Sequence, residues 1–166
     1  MTHHTNSKDD RKLLQEKIKG IRFAMLTTQE ADGVLRSRPM VTQDADFTGD
    51  LWFFTYTDSP KVNQIEQNRQ VNVSYMRSDD MTFVSVSGTA QLVQDRKKIK
   101  EYWKSTYKAW FPNGEDDPNL ALLKVHVDSA EYWDAPAGKM SGLYAAIKGI
   151  TGKPQDIGED VKLDMR

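Results

Sequence analysis

The chain has 166 residues with 23 basic and 24 acidic side chains, giving a net charge of −1. A composition of 38% hydrophobic and 28% charged residues supports one globular core and argues against disorder. The lack of cysteine excludes disulfides and thiolate metal sites, and the lack of a basic surplus argues against a protein that wraps duplex nucleic acid. No apolar run approaches the roughly 20 residues needed to cross a bilayer. Met1 to Asp10 is polar and lacks the apolar core of a secretory signal. These features predict a cytoplasmic protein with no membrane or nucleic-acid partner.

In chain order, residues 1–10 read as a flexible tail that runs into a helix over about 8–19, with Leu13, Leu14 and Ile18 on one stripe and Gly20 as its stop. Ile21–Thr28 reads as a strand. Glu30-Ala31-Asp32-Gly33 is a turn with a strong Asp-Gly signal. Val34–Thr42 follows as a strand whose Pro39 marks an edge, a bulge or a ligand-facing irregularity. Thr48-Gly49-Asp50 is a second turn, and Leu51–Tyr56 a short aromatic strand. Ser59 then starts a helix with Pro60 at its first position, ending near Asn68. Val71–Arg77 and Thr82–Gln94 alternate as strands, Asp95 caps a helix over about 96–109, and Leu122–Trp133 is the last strand. Residues 137–148 are weakly helical, and 149–166 read as a polar C-terminal tail. Six strands joined mostly by short turns predict antiparallel pairing and a mainly β fold, a small closed or nearly closed barrel with peripheral helices in one domain over 11–148.

Several motifs fail on inspection. The only histidines are His3, His4 and His126, too few and too scattered for a metal set or a Ser-His-Asp triad. Gly149-Ile150-Thr151-Gly152-Lys153-Pro154 lacks the first glycine of a phosphate loop at Ile147, and Pro154 stands where Ser or Thr is required. No dinucleotide-binding glycine fingerprint occurs. The basic run from Arg96 to Lys100 reads as a solvated helix face.

Two stretches carry more chemistry. At Ser59-Pro60-Lys61 a strand ends and a helix begins with lysine in its first turn, where the helix dipole disfavours a cation. Free amides, the dipole, a hydroxyl and an ammonium together suit a phosphate. The alternative is a plain helix start with Lys61 in solvent. In Arg36-Ser37-Arg38-Pro39-Met40 the two arginines share one face of a strand, and arginine binds phosphate bidentately. One turn separates the two stretches, which predicts a hairpin bringing Arg38 near Thr55 and the Ser59 helix.

These residues resemble the pyridoxamine 5'-phosphate oxidase-like FMN-binding split barrels, and among them the bacterial general stress protein group. The match runs from about Leu13 to Tyr144, through Trp52-Phe53-Phe54-Thr55, Ser59, Lys61, Ile65-Glu66-Gln67-Asn68, Arg38-Pro39-Met40, Ser87-Gly88 and Glu131-Tyr132-Trp133. The resemblance implies a six-stranded antiparallel split barrel and a homodimer with two FMN molecules at its interface. It also implies that Arg38, Ser59 and Lys61 hold the phosphate with help from Thr55. Backbone from Ser37 through Pro39 to Met40 borders the flavin ring, with Phe53 and Phe54 nearby. Phe83, Trp110 and Trp133 approach from the partner subunit or pack beside it.

The sequence departs from the oxidase in one place. After Trp133 stands Asp134-Ala135-Pro136-Ala137-Gly138-Lys139-Met140, without the arginine and histidine motif that grips pyridoxal phosphate. Pyridoxamine phosphate oxidation is therefore not expected, and Phe83 stands where the oxidase has a flavin-contacting glutamine. The reading is a flavin-dependent redox protein with a stress role and a small-molecule redox partner of unknown identity. The alternatives are a flavin store, sensor or scavenger without turnover, or a haem-binding relative, for which only His126 is available as an axial ligand.

Overall fold

The computed structural model describes residues 7–43, 46–134 and 161–165. The expected weak helix at 137–148, the Gly149–Pro154 turn, His3 and His4 lie outside them. Helix α1 spans Ser7–Ile18, with Asp9 and Asp10 in the first turn and Lys17 in the last, both matched to the helix dipole. It buries Leu14 completely, and Gly20 leaves it at φ +78°, a conformation glycine adopts without cost.

The strands are β1 (Phe23–Gln29), β2 (Leu35–Val41), β3 (Asp50–Tyr56), β4 (Gln70–Arg77), β5 (Thr82–Val93), β6 (Leu120–Trp133) and β7 (Val161–Asp164). Helix α2 (Pro60–Gln67) lies between β3 and β4, and α3 (Arg96–Tyr102) follows β5. The strands form one antiparallel sheet in the order β2-β1-β4-β5-β6-β3, with β7 added on β6. The sheet is a split barrel that does not close, because β2 and β3 stand at the two ends of the order and do not pair.

Three expectations change. Arg38 and Thr55 do not share a hairpin, since β3 pairs with β6 instead of β2. The C-terminal residues supply a seventh strand: β7 pairs with β6 through Ser129–Tyr132, and Leu163 and Met165 are buried in the core. Four residues with two apolar side chains, Val161 and Leu163, inward give too short an alternation to stand out in a polar stretch. The helix expected over 96–109 breaks at Trp103, which is extended at φ −65°, ψ 135°, and resumes as a 3₁₀ turn over Ser105–Ala109. The break lets Trp103 and Tyr107 both pack on Phe54, at 5.5 and 5.3 Å between ring centres. Aromatic packing thus overrides helical continuity. The start of α3 is as read, with the Asp95 carboxylate accepting from Lys97 N and Lys98 N.

The main core collects Leu14, Leu26, Phe53, Val73, Val86 and Val125 inside the sheet, and a second cluster forms around Phe54, Ile99, Tyr107 and Leu122. The register between β5 and β6 shifts at Ser87/Gly88, where Ser87 faces Ser129 and Gly88 faces Val127. Such a bulge bends the strands and strengthens their twist. Gly88 is required there, because a Cβ on it would stand 2.1 Å from the His126 carbonyl oxygen. Gly88→Ala is expected to lose about 2–3 kcal/mol through this backbone clash. Denaturant unfolding checks it, and a midpoint equal to the parent's would show that the bulge relaxes freely.

Candidate functional site

The gap between β2 and β3 is filled at one end by the start of α2. Proline at N1 and the strand-to-helix turn fix where this helix begins. Ser59 occupies the N-cap position, yet its side chain makes no cap hydrogen bond, and the first turn holds no acid. Its hydroxyl instead lies 3.2 Å from the hydroxyl of Thr55, which is 1% exposed at the end of β3. A serine in the preferred capping position that leaves the cap unmade keeps its oxygen for another partner.

Arg38 comes to this point from β2. Its Nη1 donates to Thr28 Oγ1 at 2.6 Å, and its Nη2 donates to Gln64 Oε1 at 3.0 Å. Thr28 in turn donates to Gln64 Oε1 at 2.6 Å, and Gln64 Nε2 donates to Glu30 Oε1 at 3.2 Å. Arg36 pairs with Glu30, so the nearest carboxylate is already neutralised. Lys61 has no acidic partner among the described residues. Burial holds its pKa below the ordinary 10.5, and the Arg38 charge lowers it further. The Arg38 pKa is also lowered, first by burial and then by Arg36, with Glu30 opposing.

Two half-buried cations, close enough for the Arg38 charge to act on Lys61, therefore lie by a helix start whose capping hydroxyl is bonded only to Thr55. This donor set fits a phosphate: a planar guanidinium, an ammonium, two hydroxyls and the positive end of the α2 dipole. Arg38 meets α2 through Gln64 and acts on Lys61, and Thr55 meets Ser59, without the hairpin expected between β2 and β3. Thr28 and Gln64 were not found from sequence. Gln64 follows Lys61 by three residues on one helix face, which is the signal that points to it.

The other candidates lie elsewhere. Ser37 and Pro39 are exposed on the outer side of β2, with Ser37 Oγ 2.7 Å from Thr27 Oγ1, while Met40 is buried. Phe53 is 1% and Phe54 6% exposed, on opposite faces of β3, Phe53 in the main core and Phe54 in the second cluster. Phe83 and Trp133 are cross-strand partners on the outer face and line a cavity of about 310 Å3 with Phe23, Met25 and Met76. Trp110 stacks edge-on against Phe23 at 6.1 Å, away from the phosphate grip. His126 is at the surface with Nδ1 2.8 Å from Asp50 Oδ1, and the described residues hold no metal-ligand group.

Residues 9–156 match the family described as pyridoxamine 5'-phosphate oxidase like. The chain belongs to this family. It is 31% identical over 149 residues to protein bli-3 of Neurospora crassa, covering 82% of this chain and 70% of that one. A solved structure, the general stress FMN/FAD binding protein from Xanthomonas citri, is 30% identical with a TM-score of 0.66, over 78% of this chain and 91% of that one. General stress protein 26 from Bacillus anthracis is 28% identical with a TM-score of 0.63, over 75% and 92%. The fold is also that of a protein from Clostridium acetobutylicum related to general stress protein 26, at 15% identity and a TM-score of 0.71, covering 97% of each chain.

The two cations give a direct test. Lys61 has a depressed pKa in the folded state, so the unfolded chain binds more protons between that value and 10.5. Stability of the ligand-free protein accordingly rises as pH climbs through this window. Arg38→Ala is expected to move the Lys61 pKa upward, read from the 13C shift of its ε-carbon. An unmoved titration would show that the two charges do not interact.

Proposed function

We propose that this chain binds FMN, with the phosphate held by Arg38, Lys61, Ser59 and Thr55, and that it acts as a flavin-dependent redox protein of the general stress type. The observation that carries the reading is the unpaired Lys61 beside Arg38 at the start of α2. Two partly desolvated cations without a carboxylate raise the free energy of the empty protein, and a phosphate dianion removes that cost. Bound flavin supplies hydride or electron transfer. The protein's share is to hold the phosphate, fix the ring direction along β2 and shield one side. The substrate differs from that of pyridoxamine phosphate oxidase, since Asp134, directly after Trp133, pairs with Lys17 and no arginine or histidine motif follows.

The reading includes a homodimer. Phe23, Met25, Leu35 and Met76 are 51%, 42%, 67% and 57% exposed on the outer side of β1, β2 and β4. Phe23, Met25 and Met76 adjoin Phe83 and Trp133 on the same sheet face, with Leu35 at the far end of β2. A continuous apolar face of this kind suits burial against a second copy.

Two measurements test the proposal. Purified protein is expected to be yellow, with a released cofactor of the mass of FMN. Arg38→Ala with Lys61→Ala should leave a folded, colourless protein, and Gln64→Ala should weaken FMN binding about tenfold by loosening Arg38. Stoichiometric flavin in the double variant would remove the phosphate assignment. Met76→Asp is expected to turn a dimer into a monomer in sedimentation equilibrium. A parent protein that is monomeric while carrying FMN would overturn the interface.

A further inference from the structure

A cavity of about 400 Å3 opens at the C-terminal end of β2, beside Val41 and Thr42. Four residues of strand separate Arg38 from Thr42, about 13 Å at the usual rise. None of Arg38, Thr55, Ser59 and Lys61 borders this cavity, and of the remaining candidate flavin residues only Phe53 and Trp110 do. Its volume falls in the range of small-molecule sites.

The walls define what fits. Phe23 of β1, Phe53 of β3, and Tyr107 and Trp110 at the 3₁₀ turn supply aromatic surface. Tyr75 lies on the inward side of β4 with Val71 and Val73 and is 4% exposed. Its hydroxyl makes no hydrogen bond to another described residue, yet it is not sealed from solvent. Burial raises its pKa, so it remains a neutral donor. The sealed donor on this wall is Gln43 Nε2, which has no hydrogen-bond partner among the described residues, and such a donor is costly unless something else satisfies it.

Cations outnumber carboxylates at the rim. Lys19, Arg22 and Lys104 border the cavity, and none has an acidic partner among the described residues. The two carboxylates beside it are already engaged. Asp50 is held by Lys124 at 3.3 Å and His126 at 2.8 Å, and Asp46 accepts from Gln15 at 3.3 Å. Free positive charge around an aromatic pocket selects an anion with a flat apolar body.

We infer that this cavity is a second small-molecule site, separate from the phosphate grip, and that it takes a planar aromatic carboxylate. The carboxylate meets Arg22 and Lys104 at the rim. The ring system lies among Phe23, Phe53 and Trp110. An oxygen at the far end of the ligand accepts from Tyr75.

The probe is 6-hydroxy-2-naphthoate, titrated by its own fluorescence into the full-length protein as purified. Saturable 1:1 binding is expected, weakening at high salt. Arg22→Gln with Lys104→Gln should lower affinity about tenfold, and Tyr75→Phe about threefold to fivefold. Thr106→Trp, at an exposed position on the cavity wall, should block binding with the unfolding midpoint kept. The Arg38→Ala, Lys61→Ala protein should still bind the probe, which separates this inference from the flavin reading. Three results would each overturn it: no saturation by about 1 mM probe, equal affinity for the uncharged 6-hydroxy-2-naphthamide, or release of bound flavin as the probe binds.

Discussion

The sheet is left open between β2 and β3, and the placement of the chemistry follows from that opening. A closed barrel would satisfy both edges with backbone hydrogen bonds and leave no room for a helix start. Here the edge of β2 is met by side chains instead. Thr28, Gln64 and Arg38 share three hydrogen bonds that tie β1, β2 and α2 together at the gap. The same bonds aim the guanidinium at the first turn of α2. Each of the three side chains holds the other two, so removing one side chain breaks two bonds at once.

The electrostatics of the corner run against stability and toward binding. Burial lowers the pKa of both Arg38 and Lys61, the Arg38 charge lowers that of Lys61 further, and the Glu30 carboxylate is spent on Arg36 and Gln64. Ordinary surface pairs in this chain behave differently. Arg77 and Asp80 stabilise each other's charges, and the Asp80 pKa falls to about 2 through its hydrogen bonds to Arg77 and Thr82. A chain with 24 acidic residues has ample means to place a carboxylate beside Lys61. Leaving the position cationic is the local inconsistency that marks a functional site rather than a structural one.

Local signals were legible in the sequence wherever a single turn or cap decided the structure. Asp95 caps α3, Gly33 turns at φ +87° between β1 and β2, and Pro39 sits on an edge strand. Arg38 and the Ser59–Lys61 helix start were legible because a cation in a first turn breaks a known preference. Long-range pairing was not. The short connection between β2 and β3 suggests a hairpin, yet β3 leaves to pair with β6, whose 14 residues hold β3 on one stretch and β7 on the next. Nothing in the local pattern of β2 or β3 encodes that choice. Gln64 and Thr28 were equally silent, since a polar residue on a helix and a threonine near a strand end have many bland uses.

Distance across the sheet decides how the outer-face aromatics relate to the proposed flavin. From β2 the order runs β1, β4, β5, β6, so Phe83 is three strand spacings from Arg38's strand and Trp133 four. At the usual spacing these are about 14 and 19 Å. A flavin gripped by its phosphate at Arg38 and lying along β2 does not reach either aromatic of its own chain. They contact that ring only if a second copy packs its outer face over β2. The apolar side chains at Phe23, Met25 and Met76 lie between β2 and those aromatics on the same face. Burying them against the same residues of a partner would carry each chain's Phe83 and Trp133 toward the other's β2. On the proposed reading the phosphate contacts would come from one chain, whereas the ring's surroundings would be a property of two.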